Sequence, residues 1–102
     1  MIGALEEKRE EIAALCRKYG VLRLDVFGSS LRDDYQAGAS DVDLLADFGA
    51  QDPFELIDSY FGMLGELRVL LGLPVDLVMV GALKNRYVRA EVERTKRVLY
   101  AA

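Results

Sequence analysis

The chain has 102 residues, 52% apolar and 29% charged, the balance of an ordinary globular domain rather than a disordered or fibrous chain. A single cysteine, Cys16, excludes an internal disulfide and suits a reducing cytosol. The net charge of -4 argues against tight, sequence-independent binding to nucleic acid, which depends on cations neutralising phosphates.

The N-terminus reaches Glu6, Glu7, Glu10 and Glu11 too soon for a signal peptide, and no apolar run approaches the roughly 20 residues of a membrane span. The expectation is one domain over 1–102, cytoplasmic, with no membrane association. "ALEEKREEIAALCRKYG" sets Leu5, Ile12, Leu15, Cys16 and Tyr19 at helical spacing and stops at Gly20, which predicts one amphipathic helix with Cys16 packed inside. "VLRLDVF" then alternates Leu22, Leu24 and Val26 against Arg23, Asp25 and Phe27, the period of a half-buried strand with Asp25 on its solvated side.

After Gly28 the small and polar residues "SSLRDDYQAGAS" read as a short helix and a loop, and "DVDLLADF" returns to a strand. "QDPFELIDSYFGMLGELRVLLG" predicts a long helix capped by Asp52, with Pro53 in its first turn and Ile57, Tyr60, Phe61, Leu64, Leu67 and Leu71 as its buried stripe. Gly62 and Gly65 inside it each cost about 1 kcal/mol relative to alanine, and the expectation is that they let another backbone approach closely. "PVDLVMV" is apolar enough to predict a central strand, and the remainder forms a helix around 83–94 and a short closing segment, "RVLYA". The fold class is α+β, a small mixed sheet with helices packed on it.

Charge is unevenly spread. Residues 1–83 hold 7 basic and 15 acidic side chains, whereas 84–102 hold 6 basic and 2 acidic. The basic end reads as a solvated helix face or as a seat for a partner or a phosphate.

Two carboxylates interrupt the second strand. Asp41 and Asp43 stand two residues apart, so they project from one face while Val42, Leu44 and Ala46 face the core. At a separation of about 6 Å and an effective dielectric of about 20, they repel by about 3 kcal/mol. A shifted pKa, a basic partner or a cation must offset that. Asp76 breaks the third strand in the same way, and if the two strands are neighbours the three carboxylates form a hard-cation site suited to Mg²⁺ and phosphate. A glycine ending a strand lets backbone approach a ligand, and Gly28-Ser29 sits where unpaired N–H groups meet an anion.

"FGSSLRDDYQAGASDVDLL" resembles the signature of the DNA polymerase β-like nucleotidyltransferases, Gly-Ser followed about a dozen residues later by Asp-x-Asp. The chain's length and its "GSxxR...SDxDL" form resemble the minimal nucleotidyltransferases, the MNT domains. The resemblance implies a palm-like fold and an activity that moves a nucleotidyl group from ATP with the help of Mg²⁺, in the usual two-ion arrangement. It implies that Asp41, Asp43 and Asp76 are the metal-binding, catalytic carboxylates and that Gly28 and Ser29 hold the triphosphate, with Arg32 and Ser40 as further nucleotide-binding positions. Asp33-Asp34 follow Arg32 where members commonly carry glycine. The family further implies a partner, since MNT domains pair with small helical HEPN toxins as antitoxins and some transfer AMP to a tyrosine of the toxin. A stoichiometric, non-catalytic antitoxin is the alternative, and homo- or hetero-oligomers are both open.

Overall fold

The computed structural model describes residues 2–28 and 42–102; the short helix and loop expected after Gly28 lie outside them. The predicted first helix forms in two pieces, α1 (Ile2–Glu7) and α2 (Arg9–Tyr19), separated at Lys8. Its stripe is as read: Leu5, Ile12 and Cys16 are buried, and Leu15 and Tyr19 pack at the margin of the core. Gly20 ends α2 in the left-handed region at φ 73°, its N–H donating to the Cys16 carbonyl, a stop that favours glycine. Burial pushes the Cys16 thiol up to about 12, which keeps it protonated and unreactive at neutral pH.

The strands are β1 (Arg23–Phe27), β2 (Val42–Asp47), β3 (Val75–Met79) and β4 (Arg97–Ala101), in the order β3-β2-β1-β4. β1 is antiparallel to β2 and β4, and β2 is parallel to β3, so the sheet is mixed. The closing segment is thus a full strand, held further by the Ala102 N–H donating to the Leu22 carbonyl at 2.8 Å.

β3 is an edge strand among the four, not the central one its apolar character suggested. Its apolarity serves the helix above it: Val75 and Leu77 are buried in the core. The Tyr60 hydroxyl donates to the Leu77 carbonyl at 2.6 Å, and Arg68 Nη2 donates to that of Val75 at 3.2 Å. Side chains thereby occupy two carbonyls of an edge that would otherwise invite pairing.

α3 (Pro53–Leu71) begins as predicted, with the Asp52 carboxylate accepting from the Phe54 N–H. Its buried residues are Met63 and Leu67, flanked by Leu56, Tyr60, Leu64, Leu70 and Leu71. Ile57 and Phe61 are exposed, a correction to the predicted stripe. The helix carries apolar residues on two sides, and spacing cannot say which side meets the sheet.

The core lies between α2, α3 and one face of the sheet, built from Leu24, Val26, Val42, Leu44, Ala46, Val75, Leu77 and Leu99 with Ile12, Cys16, Met63 and Leu67. A 3-10 turn (Val80–Ala82) then leads to α4 (Arg86–Thr95), whose cap is Asn85, accepting from the Tyr87 and Val88 N–H groups. β3 and β4 occupy opposite edges, so α4 must cross β2 and β1, and with the first face taken it crosses the second. Leu45 and Val92 are buried yet stand outside the main cluster, as a smaller apolar contact on that second face requires.

A side chain, the Tyr19 ring, rather than another backbone explains one of the two helix glycines. A Cβ on Gly62 would lie 2.6 Å from its ring, whereas one on Gly65 meets nothing within 4 Å. The Tyr19 hydroxyl donates to Glu66, as does Lys18 at 2.9 Å, and these donors hold the Glu66 carboxyl below its ordinary value of 4.5. That contribution is present above this value and is lost as pH falls through the lowered one. Gly65→Ala is expected to raise stability by about 1 kcal/mol, while Gly62→Ala falls short because the Tyr19 ring must leave its place; urea unfolding of the two variants checks the difference.

Candidate active site

Strand pairing alone brings two of the expected carboxylates together. Asp43 on β2 stands in register with Asp76 on β3 and with Phe27 on β1. Parallel partners share a face, and neighbouring strands put their backbones roughly 4.8 Å apart. Asp43 is half-buried and Asp76 exposed, so the pair has one supported and one open member at the entry end of β2 and β3.

Gly28 completes the described part. It follows β1 directly, has φ 69°, and lies so close to Asp43 that an added Cβ would sit 2.6 Å from Oδ2 and 3.4 Å from Cγ. A side chain here would be strained in backbone and would strike the carboxylate. Backbone therefore presses against Asp43 where the sequence placed a phosphate seat.

Ser29, Arg32, Ser40 and Asp41 lie outside the described residues. Among the described residues no group of three metal-ligating side chains occurs, as follows when Asp41 is not among them. Asp43 and Asp76 nevertheless fit a hard cation by donor chemistry, as carboxylate oxygens on one face of adjacent strands.

Asp25 departs from expectation. The sequence put it on the solvated side of β1, and it does lie on the face opposite the core, but it is 2% exposed. Arg23 Nε donates to both of its oxygens at 3.1 and 3.2 Å, and Lys96 Nζ lies 3.8 Å away. Lys96 is the residue after α4, and its side chain is only 14% exposed. Part of the basic C-terminal segment is therefore committed inside the protein. The other partner of Lys96 is Glu93 at 3.0 Å. The signal for this was Arg23, two residues before Asp25 on the same side of β1 and so placed to pair with it.

Comparison with known proteins places these features in a family. The chain matches the Nucleotidyltransferase domain over residues 8–99; it belongs to that family. It is 37% identical over 87 residues to a Methanocaldococcus jannaschii protein named as a candidate protein adenylyltransferase, covering 83% of each chain. Its fold matches a solved structure described as a candidate minimal nucleotidyltransferase, with a TM-score of 0.76 and 32% identity over 91% of this chain and 90% of the other. It also matches a chain of the complex of a tri-AMPylated Shewanella oneidensis HEPN toxin with an MNT antitoxin, with a TM-score of 0.63 and 18% identity, covering 96% of this chain and 73% of that one. The mixed α+β sheet expected from the sequence is thus the minimal nucleotidyltransferase fold. No helix among the described residues is long and apolar enough to cross a membrane.

Asp25→Ala is expected to destabilise the protein by about 1–3 kcal/mol, the range for losing hydrogen bonds to a buried charge. Arg94→Ala, which opens the exposed pair with Glu91, is expected to cost under about 1 kcal/mol. Chemical denaturation of both variants measures the contrast.

Proposed function

We propose that the chain is an Mg²⁺-dependent adenylyltransferase that moves AMP from ATP to a hydroxyl of a partner protein, and that it serves as the antitoxin of a HEPN-like helical toxin. The observation that carries the reading is the in-register pair Asp43 and Asp76 with the Gly28 backbone pressed against Asp43. The protein adenylyltransferase name of the Methanocaldococcus jannaschii relative supports the reaction class, and the modified toxin in the Shewanella oneidensis complex supports the acceptor class.

In this reading Asp41, Asp43 and Asp76 hold Mg²⁺, which when bound neutralises the triphosphate and its leaving group. Gly28 and Ser29 seat the phosphates through backbone N–H groups and the serine hydroxyl, and Ser40 and Arg32 complete the nucleotide site. The acceptor hydroxyl is aligned with the α-phosphorus. A new oxygen–phosphorus bond forms as the bond to the bridging oxygen breaks, pyrophosphate departs with that electron pair, and Asp76 takes the hydroxyl proton. Asp43, held between β1 and β3, fixes the position, whereas exposed Asp76 stands where an acceptor arrives.

A second reading, stoichiometric masking of the partner without transfer, is favoured by Asp33-Asp34 in place of the family's usual glycine after Arg32. The two readings part on one experiment. With labelled ATP, Mg²⁺ and the protein encoded beside this chain, the partner is expected to gain one or more AMP units by mass spectrometry. Asp43→Asn is expected to lower the rate by at least about a hundredfold, on the scale of losing one preorganised electrostatic contact, with its melting temperature little changed. An unmodified partner that stays neutralised by the Asp41→Asn, Asp43→Asn double variant would establish masking instead.

A further inference from the structure

Among the described residues, the second apolar side of α3 has no counterpart. Phe54, Ile57, Phe61 and Val69 are 79%, 54%, 64% and 86% exposed, and with Gly65 they follow one another at helical steps along one side. A monomer rarely leaves such a stripe uncovered without use. Its middle, at Phe61, Gly65 and Val69, borders a groove of about 640 Å³ between α2 and α3, with Leu15 among its lining residues and Glu11 and Glu66 beside them.

Two details point to an occupant. Phe61 is exposed, and the Tyr60 ring, whose hydroxyl donates to the Leu77 carbonyl, meets it edge-on at 5.1 Å and 85°. An exposed aromatic supported along one edge offers a partner a large contact area. Gly65 weakens the helix although no neighbour among the described residues needs the space, and the missing side chain leaves a notch beside the groove.

Charge and symmetry define what fits. Residues 52–72 carry four carboxylates, Asp52, Glu55, Asp58 and Glu66, against one cation, Arg68, whose guanidinium turns to the Val75 carbonyl; Lys18 of α2 pairs with Glu66, and Glu11 adds a further carboxylate at the groove. Two copies meeting through α3 would oppose like charges. The helix α4, with three arginines to two glutamates, crosses the other side of the sheet, so α3 against the α4 of a second copy would be a head-to-tail contact rather than a self-complementary one.

We propose that the α2/α3 groove seats an amphipathic helix of a different protein, its apolar side against Phe61, Gly65 and Val69 and its flanks bearing Lys or Arg. The proposal rests on the reading that the chain acts on a protein partner, and is independent of whether AMP is transferred.

Calorimetry without nucleotide, using the protein encoded beside this chain, tests it. Phe61→Glu and Gly65→Leu are each expected to weaken binding by about tenfold or more, and Gly65→Leu does so with an unchanged or higher melting temperature. Tyr87→Glu, on exposed α4, is expected to bind as the parent does, and parental affinity is expected to fall as salt rises. Parental affinity in both α3 variants, indifference to salt, failure of the parent to bind, or a parental homodimer that Phe61→Glu dissolves in sedimentation would each overturn the proposal. Intact, groove-dependent binding with no transfer of AMP would overturn the enzymatic reading alone.

Discussion

Everything at the site depends on the double pairing of β2. One edge of this strand is antiparallel to β1 and the other parallel to β3, so a single residue, Asp43, has Phe27 on one side and Asp76 on the other. Side-chain alternation then sends Val42, Leu44 and Ala46 into the core while Asp43 faces away from it. A slip of one residue in either pairing would bury a carboxylate and expose a valine or leucine. The apolar face thus sets the register, and the register places the carboxylates.

The second face of the sheet is less plainly apolar, and charge does part of the work there. α4 has few apolar residues to offer; Val92 is its one buried side chain. Asp25 supplies a further connection by joining Arg23 of β1 to Lys96 at the junction of α4 and β4. A buried carboxylate is costly unless it is paired and hydrogen-bonded, and here both conditions are met. The result is a helix anchored by geometry-specific contacts at its end rather than by a broad greasy side.

Much of this was legible beforehand because the elements are locally consistent. The Asp52-Pro53 start of α3, the Gly20 stop of α2 and the alternation of β1 each follow from the chemistry of one or two residues. The in-register carboxylates Asp43 and Asp76 stood out beforehand because aspartate is out of place in a strand. What local patterns could not supply was neighbourhood. β3 reads as central because Val75 and Leu77 are apolar, and only the position of α3 reveals that an edge strand needs them too. Asp25 reads as solvated because its alternation is right and its cover, the end of α4, lies some seventy positions later in the chain. Ile57 and Phe61 were assigned to the core for the same reason, since α3 is apolar on two sides.

The pairing of β2 with β3 also sets when the molecule becomes competent during its own synthesis. Asp43 and Asp76 are joined across a long helical crossover, α3, and such non-local parallel contacts form late and slowly because the intervening chain must first be closed into a loop. As the chain leaves the ribosome, the Gly28 turn and Asp43 emerge well before their acidic counterpart. β4, which completes the other edge of β1, follows β3 and α4 in the chain. Strand order therefore makes the meeting of Asp43 and Asp76 one of the later contacts to form as the chain folds.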